Sequence, residues 1–160
     1  MEQKRIYLGC GRHRLDGWYN LDINPSVAPG VIGWEWGQTL PFSDGEVDLA
    51  LIQHSLVFCR KEYMPEVFRE IARVTKPGGK LVVKEEDSRR YVWRQPGRVI
   101  PGAEGGRIQS INPIWEVTAL MEAAGYTISQ DDATERYRPW LNRINRIGTK
   151  IYLLEGTLMG

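Results

Sequence analysis

The 160-residue chain is poor in the residue types that staple or metallate a protein, holding two cysteines and two histidines. Cys10 and Cys59 lie far apart and match neither a zinc spacing nor a redox pair, which excludes a disulfide scaffold and suits a reducing cytoplasm. His13 and His54 with scattered acids form no zinc or calcium signature, so no metal is expected. No apolar run approaches the roughly 18 residues a membrane helix needs. The N-terminus is charged at Glu2, Lys4 and Arg5 and moves straight into a strand with no apolar signal core. A cytoplasmic protein without membrane association is expected. Charge of either sign is also not in excess, with 21 basic and 20 acidic residues. The chain as a whole is therefore not an electrostatic nucleic-acid binder, although a local patch remains open. There is no internal repeat and no low-complexity tract. The length suits one domain, residues 1–160, with a single core.

What the chain does have is a glycine turn at the end of an apolar run, Ile6-Tyr7-Leu8-Gly9-Cys10-Gly11, followed by Leu21-Asp22-Ile23. Glycines let backbone approach a ligand closely. A carboxylate ending the next strand can accept hydrogen bonds from a ribose diol. A dinucleotide fold is disfavoured: Arg14 stands where that fingerprint needs a small residue, and Asp22 comes earlier than its acid, which lies about 20 residues on. Cys10, between the glycines, reads as a small residue that fits the turn rather than a reactive thiol.

Further along, Leu40-Pro41-Phe42 precedes the strand Val47 to Leu56, whose polar Gln53 and His54 belong at the carboxyl edge where α/β sheets bind ligands. Met64, Val67, Phe68, Ile71 and Val74 recur at helical spacing over 61–76, with Pro65 tolerable in the first turn. The run Arg73-Val74-Thr75-Lys76-Pro77-Gly78-Gly79 ends that helix and leads into a strand over 80–84. Asn112-Pro113 opens a second helix to Ala124, with Ile114, Val117, Leu120, Met121 and Ala124 inward. Tyr126 to Ser129 and Thr149 to Leu154 read as the last strands, and 24–46, rich in Pro and Gly, as loop with one strand near 31–36.

In this order the motifs resemble the class I S-adenosylmethionine-dependent methyltransferases: a glycine motif, an acid after strand 2, "LPF…D…VD" into strand 4 and "RV-x-KPGG" into strand 5. The resemblance covers residues 5–84 well and the remainder loosely. It implies a three-layer, Rossmann-like α/β fold with a mostly parallel sheet and an antiparallel last strand. Between the first two strands only Gly9 to Gly17 remain, less than a parallel crossover usually takes, so the first helix is expected to be missing or cut to about a turn. That thins one face of the sheet and predicts cover by distant segments, a homodimer contact or a partner protein.

The resemblance further implies S-adenosylmethionine as cofactor and S-adenosylhomocysteine as product, with Gly9, Cys10 and Gly11 beside the methionine part, Asp22 on the ribose, and Ile23 and Leu40 around the adenine. Ile23 and Leu40 read equally well as ordinary core. Glu35 and Gln38 are alternatives for the adenine amino group. Tyr7 and Leu8 stand where many relatives carry an acid. Gln53 and His54 line the cofactor; His54 is the candidate general base and Glu85, with Glu86 or Asp87, the catalytic candidate to orient an acceptor hydroxyl or amine, beside the reading of a structural histidine and a solvated acidic cluster at 85–87.

Residues 85–111 form a long irregular segment, a lid or binding loop, in which the stretch from Ser88 to Arg107 carries Arg89, Arg90, Arg94, Arg98 and Arg107 against Glu104. Arginines with Tyr91 and Trp93 between them can clamp a small anionic acceptor or bind nucleic acid, or form a solvated loop. The expected activity is methyl transfer to an O or N atom of a small acceptor. A cofactor-binding module that works through a partner, and an RNA or other nucleic-acid methyltransferase, stand as alternatives.

Overall fold

A computed structural model describes residues 3–86, 109–110, 112–136 and 149–160, without the side chains of 86, 130–136 and 149–152. Seven strands form one sheet: β1 (Arg5–Leu8), β2 (Tyr19–Asp22), β3 (Val31–Gly33), β4 (Val47–Gln53), β5 (Thr75–Glu86), β6 (Tyr126–Arg136) and β7 (Thr149–Leu158). Their order is β3-β2-β1-β4-β5-β7-β6. All neighbouring pairs from β3 to β5 are parallel, and β7 runs antiparallel to both β5 and β6. The sheet order reverses beside β1, the point where open α/β sheets place their ligands.

Two helices are described, α1 (Met64–Val74) and α2 (Ile114–Ala123). The five apolar positions expected of α1 are those it buries, and Pro65 sits in its first turn. Both helices pack on the same face, against Ile6, Leu8, Ala50, Ile52, Leu81 and Val83. These alternate along β1, β4 and β5, because successive strand side chains point to opposite faces. Leu49, Leu51 and Val82 therefore point the other way, where they remain partly exposed.

Several expectations change in detail. Of the two outcomes expected for the first helix, it is the missing one that is found, since the connection from Gly9 to Trp18 holds only turns. Of the three layers expected, the described residues supply the sheet and the helices on one side. α1 begins later than the spacing suggested, because Lys61–Tyr63 forms a separate 3-10 turn. Pro113 caps α2 instead of entering it. β5 starts directly after α1 and runs on from Lys84 to Glu86. Residues 87–108 and 111, most of the expected lid, and 137–148 lie outside the described residues.

Candidate functional site

The site is built from the carboxyl ends of β1, β2 and β4. The Gly9 and Cys10 N–H groups both donate to the Leu21 carbonyl, at 2.8 and 3.0 Å, which ties the turn after β1 to the end of β2. Gly9 has φ +68°. A Cβ there would lie 2.5 Å from Cβ of Ser55, so both conformation and space demand glycine. Ser55 is fixed in turn: its hydroxyl donates to the Leu8 carbonyl at 3.0 Å.

Asp22 closes the turn. Its Oδ2 accepts from the Gly11 N–H at 2.8 Å and its Oδ1 from the Asn24 N–H at 3.0 Å. A carboxylate oxygen accepts more than one hydrogen bond, so a diol can still be bound on the outer side.

Around this turn lies a cavity of about 810 Å³, within the usual range of roughly 300–1,000 Å³ for small-molecule sites. Gly9, Cys10, Gly11, Asp22, Ile23, Gln53 and His54 line it together, although they come from three separate stretches of sequence. Ile23 is a solvent-facing wall at 68% exposure. His54 is exposed at the end of β4 and takes φ +52°, uncommon for a residue with a Cβ, as its N–H donates to the Lys84 carbonyl at 3.0 Å.

Other expected residues are placed elsewhere. Leu40 is buried in the helix-side core and does not line the cavity. Glu85 also lies off the cavity wall. At 1% exposure, its Oε1 accepts from the N–H groups of Ser55 and Leu56, each at 2.7 Å, so it braces the turn that carries Ser55. Of the two candidates for the adenine amino group, Glu35 lines the cavity, while the Gln38 side-chain oxygen accepts from the Glu35 N–H at 3.2 Å within a tight turn. Arg89, Arg90 and Arg94 fall outside the described residues.

Sequence reasoning missed several lining residues. Trp34 and Trp36 pack edge to face with ring centroids 4.9 Å apart. The sequence placed them only in a loop-rich stretch with a strand near 31–36 and assigned them no role. Arg12, His13, Arg60 and Tyr63 also line the cavity. Gln109 returns to it as its N–H donates to the Val57 carbonyl at 2.8 Å. Strand parity does find Tyr7: Ile6 and Leu8 fill the core, so Tyr7 must face the other side.

Burial pushes the Tyr7 phenol up to about 12, with Cys10, Glu85 and Asp22 adding in that direction. It pushes the Cys10 thiol up to about 11, with Asp22 contributing. Both stay protonated near neutrality, and Cys10 is a packing residue of the turn. Among the described residues, no cluster of His, Cys, Asp and Glu is arranged to hold a metal ion.

Beyond this geometry, residues 35–83 match the family model of the methyltransferase domain. A search of curated proteins returns no match. Among solved structures, the chain is similar to a SAM-dependent methyltransferase of Methanosarcina mazei (18% identity, 99% of this chain and 94% of that one, TM-score 0.71). It is also similar to a chain of the Haloferax volcanii complex between the Trm112 methyltransferase activator and a methyltransferase (16% identity, 99% and 84%, TM-score 0.69). A third, named as the cyclase SpnF, shares the fold equally well (17% identity, 98% and 75%, TM-score 0.71). Fold alone does not fix a reaction. The glycine turn and Asp22 lie outside the matched span, so their assignment rests on the cavity they form. The match over residues 35–83 and the fold shared with these structures make this chain similar to the methyltransferase domain.

Proposed function

We propose that the chain transfers the methyl group of S-adenosylmethionine to an O or N atom of a small acceptor. The observation that carries this reading is the joining of the Gly9 turn, held bare by Ser55, to the Asp22 carboxylate at one wall of the cavity. In that reading Gly9 to Gly11 lie along the methionine part of the cofactor, Asp22 takes the ribose hydroxyls, and Ile23 and Glu35 border the adenine. The bound cofactor supplies an activated methyl group. The protein's task is to hold an acceptor in line with it and to receive the acceptor's proton. His54, exposed on the wall, is the group for the proton, since imidazole titrates near neutral pH. An anionic acceptor, held by Arg89, Arg90 and Arg94, remains the expectation for the segment outside the described residues.

A specific observation favours a second reading, a cofactor-binding module that works with a partner protein. Both described helices lie on one face, leaving Leu49, Leu51 and Val82 partly exposed on the other. One structural neighbour was solved in complex with an activator protein.

Calorimetric titration with S-adenosylmethionine and S-adenosylhomocysteine, with NAD and ATP as controls, tests the site. Selective binding of the first two is expected, and its loss in Asp22→Ala with the circular-dichroism spectrum unchanged. Equal binding by that variant overturns the placement. Turnover to S-adenosylhomocysteine with some acceptor separates the enzyme from the binding module, and steeply salt-dependent retention of oligonucleotide would point to a nucleic-acid substrate.

A further inference from the structure

We propose that the sheet face covered by neither described helix is a docking surface for an amphipathic helix of a partner protein, one whose apolar stripe is flanked by carboxylates. This deepens the partner reading above by naming the surface and the chemistry of its occupant, and it does not depend on the cofactor assignment.

Register fixes what this face presents, since residues level with one another on neighbouring strands point to the same side of a sheet. Leu51 of β4 is level with Tyr7 of β1 and Val82 of β5, and Val82 with Glu155 of β7. One row toward the start of β4 stand Arg5, Leu49 and Lys80, and one row toward its end Gln53, Lys84 and Leu153. Over β1 and β2 the chain supplies its own cover. Asn20, level with Tyr7, pins the 9–18 connection there as its side-chain amide donates to the Leu15 and Trp18 carbonyls, each at 2.9 Å. Over β4, β5 and β7 no described helix lies, and Leu49, Leu51, Val82 and Leu153 are partly exposed. These four make a diagonal, two on β4 and one each on β5 and β7. At about 4.8 Å between strands and about 6.8 Å between rows it runs roughly 17 Å, the length of about three turns of helix.

The charges beside the diagonal name the occupant. Lys80 and Lys84 stand on β5 on either side of Val82, and Arg5 stands beside Leu49. Across β1, β4, β5 and β7 these three rows hold a single carboxylate, Glu155, which pairs with Lys80 at 2.7 Å. Asp48, just before the first row, is paired with Lys76 at 2.8 Å. Among the described residues no carboxylate pairs with Arg5 or Lys84. A second copy of this chain would bring the same cations face to face, because a two-fold interface sets one patch against itself. A helix with acids on both flanks of its apolar stripe meets Arg5 on one side of the diagonal and Lys84 on the other, which offsets the desolvation of those cations.

The probes are two helical peptides of about four turns, held by a side-chain bridge because short free helices are marginal in water. Both carry leucine along one stripe; one has glutamate on the flanks and the other lysine. Fluorescence anisotropy with the full chain should show the glutamate peptide binding at least about 10-fold more tightly, with the gap narrowing in added salt. Leu51→Asp should weaken the glutamate peptide by about 10-fold or more, the scale of one lost apolar contact with a repelling charge added. Lys84→Glu, a milder change at a partly exposed position, should narrow or reverse the preference between the peptides. Trp115→Ala, on the exposed side of α2, should behave as wild type. Binding of neither peptide, equal binding of both, or an unchanged preference in Lys84→Glu would overturn the assignment. So would a wild-type dimer in sedimentation that Leu51→Asp dissociates, which makes a second copy the occupant, or retention on phosphatidylserine vesicles lost in Lys84→Glu, which makes it a membrane. Titration of the same proteins with S-adenosylhomocysteine keeps the two questions apart: a wild type that binds the glutamate peptide and no S-adenosylhomocysteine would overturn the methyltransferase reading and leave this surface standing.

Discussion

Gly9 and Gly11 show how two like residues in one turn answer to different constraints. Both have positive φ, +68° and +52°. A Cβ at Gly11 meets nothing within 4 Å, whereas one at Gly9 would collide with Ser55. Gly11→Ala therefore carries only the left-handed backbone penalty, about 1–2 kcal/mol. Gly9→Ala adds overpacking of a buried contact, for a total of roughly 2–4 kcal/mol. Urea midpoints should rank wild type above Gly11→Ala above Gly9→Ala, and equal midpoints for the two variants would contradict the packing. The turn itself was legible, since two glycines after an apolar run admit few other conformations. The reason for Gly9 was not, because Ser55 lies beyond another strand, far along the chain. Glu85 illustrates the same limit: an acid at the end of β5 reads as a crevice residue, yet the first turn after β4 needs an acceptor for two N–H groups and takes it inward.

At the scale of elements, the run "LPF" and the arginine of "RV-x-KPGG" proved to be two halves of one clamp. Arg73 on α1 donates to both Glu70 oxygens at 2.8 and 2.7 Å, to Asp44 at 2.5 Å and to the Phe42 carbonyl at 3.1 Å. Glu70 also accepts from the Leu40 N–H at 2.7 Å. Its hydrogen bond from Arg73 holds the Glu70 carboxyl below the usual range, while the Arg73 guanidinium is held above its own. This clamp fixes the loop that leaves Trp34 and Trp36 on the cavity wall. Arg73→Ala should cost roughly 1–3 kcal/mol by loss of charged hydrogen bonds. Arg73→Lys should recover only part, because one ammonium cannot span the fork. Thermal melts of the two variants check the order. The sequence showed that these motifs belong together in order; it could not show that they touch, since residues 40–44 meet residues 70–73 only through the fold. By contrast α1 was readable almost completely, because its periodicity is local and its core partners only confirm it.

Across the whole molecule, the two faces of the sheet each hold a buried phenol. Tyr126 belongs to the helix-side core, where its hydroxyl donates to Thr75 Oγ1 at 3.0 Å and Thr75 in turn donates to the Ile71 carbonyl. Tyr7 is buried on the opposite face, beside the cavity. Burial pushes both phenols up to about 12 from 10.0. An acid whose folded pKa is raised is stabilised in its protonated form, so its contribution is complete below the unfolded value and is lost as pH rises toward the folded one. Stability should therefore fall between pH 10 and 12, by at most roughly 2–3 kcal/mol for each phenol. The thiols of Cys10 and Cys59, raised by burial from 9.0 to about 11 and 12, should start the decline near pH 9. Urea unfolding at stepped pH tests this, with Tyr7→Phe and Tyr126→Phe each removing its own part of the slope above pH 10. The two faces then separate by ligand. On the proposed reading of the site, bound S-adenosylhomocysteine would fill the cavity beside Tyr7 and should protect the Tyr7-dependent part by keeping that face dry, leaving the Tyr126 part unchanged. Protection that disappears in Tyr126→Phe and persists in Tyr7→Phe would place the ligand on the wrong side of the sheet.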